Sequence, residues 1–181
     1  MKGILFKPDM IKAIVEGRKT VTRRVCLGQR ELSNIHDFPI WNARYQAGET
    51  VYIKEACCIW CYQRDGVKDA CYKTDEDGME LPAPITHCSQ PQKWRSPLFM
   101  PAWAARYFIQ ITGVRAERLQ EIRITPSECR LEGSYWATDP DDEGGFINLW
   151  DSINKEHPWS SNPFVWVYTF RKVDKPVGIV I

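Results

Sequence analysis

The sequence predicts an α+β fold, a small β-barrel of short strands with a few short helices at its periphery and one long loop insertion. Three observations lead there. Five stretches read as extended chain, and between them only brief segments carry helical periodicity. The 181 residues are 44% apolar and 26% charged, the balance of a soluble chain that buries a single core. A tract at 62–102, rich in charge, proline and glutamine, interrupts the pattern as an insertion. No internal repeat or low-complexity tract alters this reading, and residues 1–181 are expected to form one domain.

The elements follow in order. Residues 3–6 are the first strand. Residues 8–16 are a helix: Pro8 suits its first turn, and Met10, Ile11, Ile14 and Val15 recur on one face. Gly17 ends that helix, because glycine takes the left-handed cap conformation without steric cost. From Thr20 to Val25 the chain is extended. Thr20, Thr22 and Arg24 then share one face, and Val21, Arg23 and Val25 the other. Residues 27–47 are mostly loop. Residues 50–54 form a strand after a turn at Gly48, and the insertion holds at most one short hairpin. Residues 105–119 are the clearest strand region, divided into halves at Gly113. Thr125-Pro126-Ser127-Glu128 has a capping threonine, a first-turn proline and a glutamate three positions on, so a helix starts there and stops near Gly133. Residues 146–154 are another short helix, and residues 163–172, aromatic and β-branched, are the closing strand.

Net charge is +1, so the field of the whole chain does not announce a nucleic-acid binder. The distribution is uneven: residues 1–30 hold eight basic residues against two acidic ones, and the acidic run at 139–143 offsets them. No run is long and apolar enough for a membrane span. Residues 1–6 lead into charge and proline rather than an apolar export signal, so a cytoplasmic location is expected. Seven cysteines, an odd number without such a signal, fit a reducing compartment. Cys58, Cys61, Cys71 and either His87 or Cys88 offer thiolate and imidazole for zinc, but without paired C-x2-C spacing. Free, partly buried thiols are the expectation, and no metal or cofactor is assigned.

The segment Gly17-Arg18-Lys19-Thr20-Val21-Thr22-Arg23-Arg24 carries the chemistry. It brings an amine, hydroxyls and guanidiniums to a helix-to-strand corner, a set suited to an anion or to a nucleophile with a helper. Gly17, Lys19 and Arg24 match the G-x-K-x-x-x-x-R signature of the ASCH domains. Segments 3–25, 48–56, 94–122 and 149–173 are similar, in the same order, to the longer ASCH-like proteins often found in phages and prophages. The chain resembles that subgroup over most of its length. The resemblance implies a PUA-like barrel linked to RNA. It also implies a catalytic set, because small bacterial ASCH proteins act as amidohydrolases on acetylated cytidine through a lysine, a threonine three residues later and a distant glutamate. Lys19 and Thr22 match the first two. Glu132 is the counterpart of the glutamate, with Glu128 one helical turn away as the alternative.

Glu55 matches a glutamate typical of the longer subgroup, and it either lines the same cavity or forms an ion pair with Arg23 or Arg24. Among eight tryptophans, Trp150 and Trp166 fall inside periodic elements and are expected in the core. Trp103 sits at a loop-to-strand junction, where its face is placed to stack on a base. The expected function is binding of RNA or a modified nucleoside in a basic cleft with Arg23, Arg24, Glu55 and Trp103. Amide hydrolysis by Lys19, Thr22 and Glu132 is the alternative, and a phage accessory module that binds another protein is the third reading. The sequence carries no signal for an oligomeric state.

Overall fold

The computed structural model describes residues 1–26, 39–61, 68–72, 94–122, 132 and 143–177. Among them seven strands and two helices make a mixed α+β structure. The chain divides into two units. The first comprises Met1–Lys12, Val51–Ile109 and Val173–Ile181, the second Ala13–Thr50 and Gln110–Lys172.

In the first unit, β1 (Gly3–Leu5) runs parallel to β3 (Thr50–Lys54), with Gly3 opposite Tyr52 and Leu5 opposite Lys54. Val51, Tyr52 and Ile53 are all buried, as befits a strand covered on both faces. The Ile53 N–H donates to the Tyr107 carbonyl at 2.9 Å, which sets β3 beside the start of β6 (Phe108–Arg118). A separate hairpin pairs β4 (Cys57–Cys61) with β5 (Lys68–Tyr72) in antiparallel register. It begins at Cys57, upstream of the insertion boundary expected at 62, because the apolar run at 57–61 pairs where its lack of alternation hid a strand. Tyr52, Cys57, Met100, Ala104, Ala105 and Phe108 form the apolar cluster of this unit.

In the second unit, β2 (Val21–Val25) pairs antiparallel with β7 (Phe164–Val173), Val21 opposite Thr169 and Val25 opposite Val165. Val165 through Tyr168 are consecutively buried, so β7 is covered on both faces there. Val21, Leu119, Ile122, Phe146, Trp150, Val165 and Val167 make its core. Helix α2 (Glu143–Ile153) contributes Phe146 and Trp150, four residues apart and so on one helical face. Trp150 and Trp166 are buried, as their positions suggested.

Helix α1 (Pro8–Val15) has Ile11, Ala13 and Ile14 almost fully buried and Met10 and Val15 half-buried. β6 is not divided at Gly113. That residue is a glycine for a steric reason instead: a Cβ there would meet Thr169 Oγ1 at 2.7 Å. The strand starts only at Phe108, since a 3-10 turn occupies Ala102–Ala104. Within the expected loop at 27–47, Ile40–Asn42 form another such turn, and residues 27–38 lie outside the described residues. The expected helix at 125–133 also lies outside them, apart from Glu132, a turn residue. The sheet order is β1-β3-β6-β7-β2, with β1 and β2 at its ends, and no pairing that closes a barrel occurs among the described strands.

Candidate functional site

The depth of Lys19 follows from the way α1 ends. Gly17 takes φ +77°, the left-handed conformation that its missing side chain permits. The Gly17 N–H then donates to the Ile14 carbonyl, and the N–H groups of Arg18 and Lys19 both donate to the Ala13 carbonyl, at 2.9 and 3.0 Å. These bonds fold residue 19 back under the helix end before β2 begins. Lys19 is 1% exposed. Its Nζ donates to the carbonyls of Val21 (2.6 Å) and Glu132 (2.5 Å) and to Glu132 Oε2 (3.1 Å). Burial holds the amine below the ordinary lysine value of 10.5, against the opposing pull of Glu132, and the Arg24 and Arg23 cations push the same way as burial.

Arg23 continues the network. Its Nη1 donates to Glu132 Oε1, and its Nε to Glu117 Oε1 at 2.9 Å. Glu117 Oε2 accepts in turn from Arg115 Nε at 3.0 Å. Charges of alternating sign thus run Lys19, Glu132, Arg23, Glu117, Arg115, and the first three are buried. Strand alternation puts Thr22 and Arg24 on the other face of β2, opposite Tyr168 and Trp166. Thr22 is buried and Arg24 partly so. Burial lowers the Arg24 guanidinium, with Tyr45, Glu132 and Tyr168 pulling the other way. Tyr45 meets Tyr168 edge to face, ring centroids 5.3 Å apart. Burial pushes the Tyr168 phenol up to about 12 and raises Tyr45, so both hydroxyls keep their protons at neutral pH.

The expected set therefore divides. Lys19 and Glu132 meet directly, and Glu128 lies outside the described residues. Arg23 donates to the Glu132 carboxylate, and Arg24, which the shared-face argument favoured, interacts electrostatically with it. Glu55 belongs to a different cluster, in the first unit. The ion pair expected with Arg23 or Arg24 is made with Arg106, whose Nε and Nη2 each donate to one carboxylate oxygen at 2.9 Å. The reason is local: Arg106 precedes β6, and the pairing of β3 with the start of β6 brings it to the end of β3. The Arg106 guanidinium also lies over the rings of Tyr72 (4.0 Å) and Tyr107 (4.7 Å). Trp103 packs partly buried against the apolar cluster of the same unit.

Sequence reasoning missed Glu117, Tyr45, Tyr168 and Arg106. A partial signal existed for Glu117, since Arg115 and Glu117 alternate on one face of a readable strand. Its contact with Arg23, 94 positions away, depends on β2 and β6 flanking β7, which periodicity does not reveal.

No family model matches the chain, and no curated protein matches it. Among solved structures, it is similar to protein EF3133 from Enterococcus faecalis V583, described as family-model DUF984. The identity is 11% and the TM-score 0.44, over 100% of this chain and 86% of that one.

Proposed function

We propose that this chain is an ASCH-type, PUA-like module whose Lys19–Glu132 site takes a modified nucleoside and hydrolyses its acyl amide. One observation carries the reading: an amine 1% exposed and lowered by burial stands 3.1 Å from a carboxylate, at the positions that the resemblance assigns to catalysis. A lysine held low by its surroundings can act as a base, and the contact with Glu132 gives a path along which a proton can move. On the roles the resemblance implies, the Thr22 hydroxyl oxygen forms the bond to the acyl carbon and its proton goes to Lys19. That transfer needs the substrate-bound site to bring Thr22 and the amine together, since strand alternation puts Thr22 on the face of β2 opposite Arg23. The cytidine amino group leaves with a proton returned through the Lys19–Glu132 pair. Water then attacks the acyl-threonine, releasing acetate and restoring the hydroxyl.

The same geometry turns the proposal away from RNA. Lys19 and Arg23, two cations of the basic segment, point inward to carboxylates, so they are spent on Glu132 and Glu117 rather than offered to a phosphate backbone. A second reading has its own support. Three acceptors surround Nζ, which matches an ammonium with all three donors used and no lone pair free for base chemistry. On that reading the site binds the nucleoside without turning it over.

Incubation with acetylated cytidine, with acetate release followed by NMR, decides between them. The native chain should release acetate. Lys19→Arg should abolish release while keeping the charge, because a guanidinium does not lose its proton. Thr22→Ser should keep part of the activity and Thr22→Ala none. Turnover by Thr22→Ala would remove threonine as the nucleophile. Binding by titration with no turnover establishes the binding module, and neither one overturns both readings in favour of a protein partner.

A further inference from the structure

We propose that Glu117 is a positioning residue for the Lys19–Glu132 pair: it holds one edge of the Arg23 guanidinium, and Arg23 in turn holds one oxygen of Glu132, so that the other oxygen faces the Lys19 amine. The inference rests on the reading of that pair as the working groups of the site. Arg23 is a buried cation that the proposed reaction leaves without a task. It shares a face of β2 with Val21, and both Val21 and the residue opposite Arg23, Val167, belong to the core of the second unit. A guanidinium among such neighbours is costly unless anions meet it. Glu132 and Glu117 both do, the latter from β6, on the other side of β7.

The two contacts use different nitrogens. Nη1 goes to Glu132 Oε1, and Nε goes to Glu117 Oε1 at 2.9 Å. A guanidinium is planar and rigid, so fixing the Nε edge fixes where Nη1 points. The Glu132 carboxylate is thereby divided between two cations, Oε1 to Arg23 and Oε2 to Lys19 at 3.1 Å. Glu117 is itself held from the solvent side, where Arg115 Nε donates to its Oε2 at 3.0 Å.

The division of Glu132 sets how firmly Lys19 keeps its proton. Glu132 favours the ammonium, whereas Arg24 and Arg23 act with burial against it. Removing either member of the Arg23–Glu117 pair should therefore shift the amine, and in opposite directions. Without Arg23, Lys19 loses a repelling cation and the whole of Glu132 is left to it, so the ammonium gains. Without the charge of Glu117, Arg23 has Glu132 as its remaining anion and repels Lys19 with less to offset it, so the neutral amine gains.

The test is an NMR titration of the full chain, isotopically labelled at lysine Cε, with Lys19→Met identifying the Lys19 resonance. Glu117→Gln should move the Lys19 midpoint down by on the order of 0.5 pH unit, and Arg23→Gln should move it up by on the order of 1 pH unit. Glu117→Asp, which keeps the charge and shortens the reach, should give a smaller downward shift and serves if the glutamine variant does not fold. In a chain that releases acetate, the acidic limb of kcat should move with the midpoint. A midpoint that stays in place in the Glu117 variants, or that moves the same way in the Glu117 and Arg23 variants, would overturn the proposal and leave Glu117 a structural ion pair. The titration needs no substrate, so opposite shifts in a chain that releases no acetate would uphold this role for Glu117 and remove only the hydrolytic reading.

Discussion

At Lys19, desolvation and charge pairing pull in opposite directions, and the sign of their sum is measurable. Burial lowers the amine below 10.5, so the unfolded chain binds that proton more tightly than the folded one. Between the lowered native value and 10.5, the unfolded state holds more protons, and the contribution of Lys19 to stability therefore rises with pH. Lys19→Met removes this dependence. The stability of the native chain relative to that variant, from urea unfolding at a series of alkaline pH values, should climb as the pH approaches 10.5. A flat or falling difference would mean that Glu132 outweighs burial and that the amine is an ordinary structural cation. The residue type and spacing at this corner were legible in the sequence, because Gly17 and the apolar pattern of α1 fix where the helix stops. The carboxylate choice was less legible. Glu128 and Glu132 are a helical turn apart in sequence terms, and the contact of Glu132 with an amine 113 positions away is set by the fold.

At the scale of elements, the readable strands and helices are those with physical punctuation. β3 is bounded by Gly48 before it, and α1 by Pro8 and Gly17, and each runs within a residue of its expected limits. β4 went unread because Cys57-Cys58-Ile59-Trp60-Cys61 neither alternates nor carries a turn signal on its upstream side. Gly113 misled for an instructive reason: glycine inside a strand marks a close approach as often as a break. Gly113→Ala should destabilise the chain by about 1–3 kcal/mol, since the new methyl must displace Thr169 Oγ1 and disturb its hydrogen bond with Thr112. In a Thr169→Ala background the same change should cost much less. Equal costs in the two backgrounds, from a double-mutant cycle of denaturation midpoints, would show that Thr169 is not the obstacle.

At the scale of the molecule, the division into two units does not follow the chain. Its boundaries cut through α1 between Lys12 and Ala13 and through β6 between Ile109 and Gln110, so neither unit is a continuous segment. Neither can be excised without severing a helix and a strand. Unfolding in urea should therefore be a single transition, with tryptophan fluorescence and far-ultraviolet circular dichroism giving coincident curves. Separated midpoints would mean that the units unfold independently. The α+β class was legible from the mixture of short periodic segments. The sheet order β1-β3-β6-β7-β2 was not, because it is set by which strands share buried faces over long sequence separations.

The two hydrogen bonds that Arg18 and Lys19 send to one carbonyl, that of Ala13, make the Gly-x-Lys spacing a ruler. It measures how far past the helix an amine travels before it is drawn inside. One residue added between Gly17 and Lys19 would leave the composition of the corner intact and move a different side chain into the buried position, with Lys19 carried toward the solvent. The motif is thus, first of all, an instruction about depth, and any chemistry done there is done by a group that backbone geometry has already taken out of water.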